Sequence, residues 1–283
     1  MTAIGAIELG GSHVSAALVD VSGAVKPPGL YRVALAPVAT RDDILAAISV
    51  AARRVAAPLA KRWGVATPGP FDYERGISRI RGLGKLEPLF GTDLRAVLAT
   101  ELGIESEAIR FLNDAQAFAL GEEWTGVARG HDRVIGLTIG TGLGSGFLAA
   151  GRLVTSGDDV PPEGRLDLVP FRGGHVEDAI SGRAIGADAA DVAQRARSGE
   201  REASEHYRAL GTALAEFLDP WLERFDPSCL VFGGSITRAW DLFGSAFTAG
   251  SRTAARLAMC GPAEHLDEAP LLGAARYATG SAG

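Results

Sequence analysis

The architecture of this chain is indicated most clearly by Val134-Ile-Gly-Leu-Thr-Ile-Gly-Thr-Gly-Leu-Gly-Ser-Gly146, an apolar run that breaks into alternating glycines. Glycine adopts backbone conformations that other residues avoid, and it lets backbone N–H groups approach a bound anion closely. Together with the residues up to Val154, the run predicts a strand, a glycine turn and a second strand. A single turn of this kind is most often an ordinary hairpin.

The same pattern occurs a second time, near the start of the chain, at Ile4-Gly-Ala-Ile-Glu-Leu-Gly-Gly-Ser-His-Val-Ser-Ala-Ala-Leu-Val-Asp20. Two such units, each opening one half of the chain, predict a duplicated α/β architecture of two lobes whose glycine turns face a common cleft. We place the boundary at Asn113, which gives lobes of residues 1–113 and 114–283. A closing helix over roughly residues 270–280 is a candidate to pack back on the first lobe.

Composition excludes several classes of protein. The net charge is -6 and no run of Lys or Arg occurs, which argues against a nucleic-acid surface. The longest apolar stretch, Val134 to Ala150, is too rich in glycine for a membrane span. Glu8 within the first apolar segment argues against a signal peptide, so we expect a cytoplasmic protein. Its two cysteines, Cys229 and Cys260, are expected to be reduced and structural.

The second informative segment is Phe111-Leu-Asn-Asp-Ala-Gln-Ala-Phe-Ala-Leu-Gly-Glu-Glu-Trp124. It places the Asp114 carboxylate where a buried run meets an amphipathic helix, a position that suits a general base. Local sequence equally favours a helix N-cap at Asp114, and both roles can coexist. Asn113 is also open to two interpretations: it contacts substrate hydroxyls, or it forms a turn. A base beside a phosphate-binding turn suggests phosphoryl transfer.

Neither the P-loop pattern nor the dinucleotide fingerprint is present. The remaining chain alternates apolar-periodic and glycine-rich segments. We predict helices over Arg41–Leu59, Asp93–Glu101, Glu177–Ala193 and Glu205–Phe225, a loop over Pro161–Gly174, and a strand that ends in glycines at Cys229-Leu-Val-Phe-Gly-Gly-Ser235.

Five segments of the chain resemble, in order, the sequence signatures of the ROK family. They are Glu8-Leu-Gly-Gly-Ser12, Leu112-Asn-Asp-Ala115, Leu137-Thr-Ile-Gly-Thr-Gly-Leu-Gly-Ser-Gly146, Phe232-Gly-Gly-Ser235 and Leu272-Gly-Ala-Ala275. That family contains sugar kinases and sugar-responsive repressors. The resemblance implies a two-lobed actin-like, ribonuclease-H-like ATPase fold with a duplicated βββαβα core. It also implies a kinase that uses ATP and Mg²⁺ to phosphorylate a primary hydroxyl of a sugar or sugar-like substrate.

The resemblance assigns roles to particular residues. Asp114 matches the family's catalytic base. Asn113 matches the family residue beside that base, which hydrogen-bonds to substrate hydroxyls. Glu8 stands where many kinases of this fold have an Asp that holds hydrated Mg²⁺. The residues matched to the nucleotide are Gly10, Gly11, Ser12, His13, Gly140, Thr141, Gly142, Gly144, Gly233 and Gly234.

One departure from the family concerns its zinc signature, a Cys-x-Cys-Gly-x-x-Gly-Cys run with a preceding His. This chain has Arg172-Gly-Gly-His-Val-Glu177 in that place. Without the cysteines zinc cannot be held in the family's manner, so no zinc is expected. His175 is interpreted as a loop or substrate-facing residue.

A second departure lies in the sugar motif, where the family's Glu-x-Gly-His is replaced by Pro162-Glu-Gly-Arg165. Because unmatched buried polar groups are costly, such a site should discriminate differently. We therefore expect a non-standard substrate, such as a modified sugar or a cyclitol. The candidate substrate residues are Asn113, Glu163, Arg165, His175, Glu177, Gly69 and Lys85, of which Glu177 matches the family glutamate on the anomeric side.

Three other functions stay open at this point: a glucokinase or fructokinase of ordinary hexoses, a non-catalytic sugar sensor, and a polyphosphate-dependent glucokinase. The first glycine motif begins at Ile4, so we expect no winged helix-turn-helix ahead of it and a kinase-type member. Family members often dimerise, which makes a homodimer an expectation that no heptad pattern supports.

Overall fold

In the computed structural model, the described residues are 3–55, 60–82, 84, 86–186 and 188–280. They form two compact units, the first from Met1–Thr125 with Glu268–Gly283 and the second from Gly126–Asp267. The division therefore lies twelve residues beyond the boundary expected at Asn113, and the C-terminal helix belongs to the first unit. Packing explains the difference, since the helix that follows Asn113 is held within the first unit.

The first unit is built on a five-stranded sheet. Its strands are β1 (Ala3–Leu9), β2 (His13–Val19), β3 (Tyr31–Ala34), β4 (Ala60–Thr67) and β7 (Ile109–Asn113), with a small hairpin of β5 (Phe71–Asp72) and β6 (Ile77–Ser78). The sheet order is β3-β2-β1-β4-β7. Strands β1, β2 and β3 pair antiparallel, whereas β1, β4 and β7 are parallel, so the last three end at one edge.

Four helices accompany this sheet: α1 (Arg41–Val55), α2 (Leu94–Leu102), α3 (Asp114–Thr125) and α8 (Ala269–Ala278). Helices α3 and α8 approach closely because glycine removes the side chain at each contact. A Cβ on Gly121 would lie 2.1 Å from the carbonyl oxygen of Ala269, and one on Gly273 would lie 1.7 Å from that of Ala117. These contacts hold both helices in the first unit.

The second unit repeats the same strand plan. Its strands are β8 (Arg133–Ile139), β9 (Leu143–Ala149), β10 (Arg152–Leu153), β13 (Cys229–Gly233) and β14 (Met259–Pro262), with a small hairpin of β11 (Pro170–Phe171) and β12 (Gly174–His175). The order is β10-β9-β8-β13-β14. Here too the first three strands pair antiparallel, and β8, β13 and β14 are parallel.

The second unit contains α4 (Gly182–Ile185), α5 (Ala189–Arg197), α6 (Arg201–Phe225) and α7 (Trp240–Gly250). The single helix expected over Glu177–Ala193 is instead a 3-10 turn followed by α4 and α5. Gly186, at φ 147°, interrupts it, and Asp188 starts α5 by accepting hydrogen bonds from the amides of Ala190 and Asp191. Among the helices of the described residues, none is long and apolar enough to cross a membrane.

Candidate functional site

The carboxyl edge of the first sheet carries Asn113 and Asp114. The Asn113 Oδ1 accepts hydrogen bonds from the amides of Ala115 (3.0 Å) and Gln116 (3.3 Å), so Asn113 caps α3. Asp114 is the first helical residue, and its Oδ1 accepts from the Ala115 amide at 2.9 Å. The cap expected at Asp114 is thus made by its neighbour, and the Asp114 carboxylate lies at the partially positive end of the helix.

Tyr73 is a member of this region that sequence reasoning missed. The Asn113 Nδ2 donates to the Tyr73 Oη (3.3 Å), which itself donates to the Thr67 carbonyl (3.2 Å). Both ends of the Asn113 amide are therefore engaged within the first unit. No local pattern identified Tyr73, because it lies 40 residues from Asn113 and meets it only through the fold. Gly69, in the loop between β4 and β5, is half-buried.

The first glycine turn follows β1 on the same edge. The Gly10 amide donates to the His13 carbonyl at 2.9 Å, which closes the turn through Gly11 and Ser12. The Glu8 Oε2 and the His13 Nε2 are 3.7 Å apart. Both atoms are buried and make no hydrogen bond among the described residues. Such buried polar atoms are costly unless a ligand or water satisfies them.

The register of the parallel strands relates Glu8 to the Asp114 region. Glu8 lies beside Ala66 of β4, and Ala66 lies beside Leu112 of β7. Two strand spacings separate the backbones of Glu8 and Leu112 by about 10 Å. One edge of the first sheet thus carries the partly buried carboxylate of Glu8 and the carboxylate of Asp114.

The second glycine turn, Gly140 to Gly142, joins β8 to β9. The Gly140 amide donates to the Gly142 carbonyl at 2.9 Å, and the Gly182 amide donates to the Gly140 carbonyl at 2.7 Å. Among the described residues, the amides of Thr141 and Gly142 make no hydrogen bond. Two such amides in one turn can bind an anion. Gly144 lies within β9, opposite Thr138, and not in the turn.

Beside this turn lies a pocket of about 570 Å³ within the second unit. Gly234 precedes Ser235 of the pocket lining and has φ 83°, and a Cβ on it would lie 2.4 Å from the Ile139 carbonyl oxygen. Gly233 is the last residue of β13. The residues that line the pocket are Gly140, Thr141, Gly182, Arg183, Gly186, Asp188, Ala189, Ala190, Ala193, Arg197, Tyr207, Ser235, Ile236, Arg238 and Ala239.

Sequence reasoning identified the glycine turn at this pocket but missed the arginines. The Arg197 guanidinium donates to both carboxylate oxygens of Asp241 (2.9 and 2.7 Å) and holds the pKa of that carboxyl below its usual value. Arg238 pairs with Asp267 at 2.7 Å, and Arg183 with Glu177 at 2.8 Å. Three paired arginines give the pocket a polar wall without a large net charge. Their spacing in the sequence carried no signal of this arrangement.

The replaced sugar motif folds as two short 3-10 turns, Pro162–Gly164 and Leu166–Leu168. The Arg165 guanidinium binds both oxygens of Asp167 (3.2 and 2.6 Å), and its Nη1 is 3.6 Å from the Glu163 Oε2. Ser145 of β9 holds the segment through the Gly164 carbonyl and the Leu166 amide. Arg165 therefore lies between two carboxylates.

The other candidate substrate residues differ in their surroundings. His175 is exposed on β12, where its amide donates to the Asp178 Oδ2 at 3.1 Å. Glu177 is engaged with the second glycine turn through the Leu143 amide at 2.9 Å. Lys85 lies outside the described residues. Within the described part of the chain, no group of three or more His, Cys, Asp or Glu residues is arranged to hold a metal ion.

Comparisons with known proteins place the chain among ROK proteins. The model of the ROK family matches residues 4–280. The chain is 32% identical over 215 residues to a glucokinase of Thermotoga maritima, an alignment that covers 64% of this chain and 66% of the relative. It is 27% identical over 208 residues to an N-acetyl-D-glucosamine kinase of Pectobacterium carotovorum, with the same coverage. The alignments thus cover just under two thirds of these relatives.

The fold is shared with solved ROK structures. A ROK family glucokinase from Streptomyces griseus, in complex with glucose and AMPPNP, superposes with a TM-score of 0.77. The match is 23% identical and covers 99% of this chain and 100% of that one. The predicted α/β, actin-like fold is confirmed by this likeness.

Proposed function

The chain belongs to the ROK family, and from that premise we propose that it is an ATP- and Mg²⁺-dependent kinase of a sugar or sugar-like substrate. The observation that carries the proposal is the position of Asp114. Its carboxylate stands at the start of α3, on the carboxyl edge of the first sheet, while Asn113 makes the helix cap. Because Asn113 already makes the cap, the Asp114 carboxylate, which also accepts from the Ala115 amide, is not required for that role.

In the proposed reaction, the Asp114 carboxylate takes the proton of the acceptor hydroxyl. The hydroxyl oxygen forms a bond to the γ-phosphorus, and the bond from that phosphorus to the β,γ-bridging oxygen breaks. ADP leaves with the electron pair of the broken bond. Asn113 orients Asp114, because its Oδ1 fixes the first turn of α3 and its amide nitrogen is held by Tyr73.

The nucleotide is assigned to the second unit. The amides of Thr141 and Gly142 suit the donor phosphates, and the adjoining pocket of about 570 Å³ suits the nucleoside. Gly234 lets the chain pass the end of β8 closely enough to shape that pocket. Gly10 to His13 are proposed as a phosphate-binding turn of the first unit.

A hydrated Mg²⁺ fits Glu8. The Glu8 Oε2 is buried without a hydrogen bond among the described residues, and it could accept one from a metal-bound water. Magnesium usually keeps several waters and binds through few carboxylates together with substrate phosphates, so a cage of protein ligands is not needed. When bound, the ion neutralises charge on the phosphates.

We further propose that the acceptor is not plain glucose but a modified sugar or a cyclitol. The segment that replaces the family's sugar motif contains Arg165, which is held by Asp167 and Glu163. It therefore presents a paired guanidinium in place of a neutral imidazole. A hydrogen-bonding set changed in this way favours an acceptor with a different pattern of hydroxyls or substituents.

The test is ADP release with ATP and Mg²⁺ across a panel of hexoses, amino sugars and cyclitols. Asp114→Asn should lower kcat by about 10²- to 10⁴-fold, since general-base catalysis contributes about that much. Asp93→Asn is a matched control, because Asp93 only caps α2 through the Ala96 amide and Asn can keep that bond. No turnover on any acceptor, or equal activity of wild type and Asp114→Asn, would contradict the proposal.

A further inference from the structure

Glu177 connects two parts of the second unit. It lies in the 3-10 turn Val176–Asp178, and its carboxylate is partly exposed. The Oε1 accepts a hydrogen bond from the Leu143 amide at 2.9 Å, and the Oε2 pairs with Arg183 Nη2 at 2.8 Å. One oxygen thus holds the end of the second glycine turn, and the other holds an arginine of the pocket wall.

The absence of a side chain at position 142 permits this contact. A Cβ on Gly142 would lie 2.2 Å from the Glu177 Oε1, closer than any two such atoms can stand. A second tie runs beside the first, from the Gly182 amide to the Gly140 carbonyl at 2.7 Å. The segment from Glu177 to Arg183 therefore fixes both ends of the turn.

These ties decide which amides of the turn are occupied. The Gly140 amide is used inside the turn, and the Leu143 amide is used by Glu177. The two amides between them, of Thr141 and Gly142, make no hydrogen bond among the described residues. Because the flanking amides of Gly140 and Leu143 are held, the amides of Thr141 and Gly142 keep a fixed orientation. This lowers the entropic cost of ordering the turn around an anion.

We propose that Glu177 is a positioning residue for the donor phosphates, acting through the glycine turn. This inference rests on the proposed kinase function. A carboxylate near phosphate would be repulsive by itself, and the Arg183 guanidinium compensates its charge. Resemblance alone assigned Glu177 to the anomeric side of the sugar, whereas its contacts within the unit connect it to the turn.

The test compares two nucleotides by calorimetry. AMPPNP with Mg²⁺ reports on the β- and γ-phosphates, and AMP, which lacks them, reports on the pocket. We expect Glu177→Ala to weaken AMPPNP binding about tenfold and to leave AMP binding within about twofold. Equal losses for both nucleotides would show a collapsed pocket, and no loss for AMPPNP would leave Glu177 without this role. Either result overturns the inference.

Two further variants serve as controls for Glu177→Ala. Glu177→Gln retains an oxygen for the Leu143 amide, so it should lose only about threefold in AMPPNP affinity. Glu216→Ala is a matched control, because Glu216 also pairs with an arginine of the second unit, Arg172, but does not contact the turn. Its AMPPNP affinity should equal that of the wild type, and a loss like that of Glu177→Ala would contradict the inference.

A double-mutant cycle then tests the mechanism. Gly142→Ala should weaken AMPPNP binding in the wild type, because the new methyl group displaces the Glu177 carboxylate. In the Glu177→Ala background no carboxylate remains to be displaced, so the same change should have a smaller effect. Strictly additive effects would overturn the proposal. If the wild type binds no nucleotide, the proposed kinase function is wrong, and this inference fails with it.

Discussion

The two glycine turns of this protein lie at equivalent places in sheets of equivalent strand order, yet their surroundings differ. The first turn, Gly10 to Ser12, is closed by the hydrogen bond from Gly10 to His13, and the Leu35 amide donates to the Ser12 carbonyl at 2.8 Å. It stands beside Glu8 and His13, whose facing atoms are buried without hydrogen bonds among the described residues. The second, Gly140 to Gly142, is tied from outside the hairpin by Glu177 and Gly182. One topology therefore supports two different environments.

This difference shows which features of a glycine turn a duplicated fold does not determine. Strand order and the parallel edge place a glycine turn at the same point of each sheet. The residues that later segments bring to that point are not duplicated, and they decide which polar groups surround the turn and how the turn is held. We therefore expect substitutions at the two turns to have different consequences.

Of the substitutions proposed here, Gly234→Ala should lower the free energy of unfolding the most. The loss should be confined to the second unit. Gly234 has φ 83°, and a Cβ would lie 2.4 Å from the backbone oxygen of Ile139, which cannot move aside. We expect a loss of about 3 kcal/mol or more in the free energy of unfolding. Hydrogen exchange of β8 and β13 measures this loss directly.

Gly10→Ala is the matched substitution in the first unit. The atoms nearest to a Cβ there would be those of the His13 ring, from 3.0 Å, and a side chain can rotate away. The loss of stability should stay within about 1 kcal/mol. If both variants lost equally, the difference between a backbone and a side-chain neighbour would not decide the cost of the added methyl group.

Glu8→Gln should separate the turns by their chemistry. The amide keeps the size of Glu8 but removes its charge, so we expect kcat to fall about 10- to 100-fold, with a higher Mg²⁺ concentration needed for half-maximal rate. Steady-state rates at varied Mg²⁺ give both quantities. Glu101→Gln, which removes an exposed partner of Arg53 in the same unit, should change neither. An unchanged Mg²⁺ dependence in Glu8→Gln would refute the role of Glu8.

A further expected difference is an opposite response of the two units to pH. In the second unit, burial raises the pKa of Asp219, but hydrogen bonds from the Arg252 amide, Ser251 and Thr253 outweigh it, so the net pKa is lowered. Asp219 therefore stabilises its unit above about pH 4, and this stability is lost as the pH falls through the lowered value. Asp219→Asn should cost about 1 to 2 kcal/mol at neutral pH.

In the first unit, burial raises the pKa of Glu123, an effect that nearby Arg276 partly opposes. A raised pKa means that Glu123 favours the folded state below about pH 4.3, and that this contribution is lost as the pH rises through the folded value. Glu123→Gln should remove this dependence from the first unit only. Hydrogen exchange at about pH 3.5 and about pH 7 reports on each unit separately, and a parallel response of both units would refute the prediction.

Much of the fold could be predicted because its signals are local. The alternating glycines after an apolar run indicated both hairpins, and the helix predicted over Asp93–Glu101 is found as α2, with Asp93 as its cap. The predicted helix after Asn113 is also confirmed. The boundary between the units was placed too early because it depends on the contact of Gly121 and Gly273 with helix backbones more than 100 residues away in the sequence.

The candidate site divides in the same way. The glycines of the two turns and the position of Asp114 follow from short motifs, since each motif fixes its own backbone through neighbouring residues. The partners of these groups do not. Tyr73 holds Asn113 across 40 residues, Glu177 holds the second turn across 34, and Arg197 and Arg238 reach the pocket from separate helical segments.

Periodicity and glycine spacing thus predicted the strands and the turns, because local backbone preferences suffice to specify them. The family followed from the resemblance of five short motifs. The helix cap at Asn113, the tie between Glu177 and Leu143, and the pairing of Arg165 with Asp167 were decided only in the folded chain. Side-chain hydrogen bonds require donors and acceptors to meet at about 3 Å, and for residues distant in sequence only the tertiary structure sets that distance.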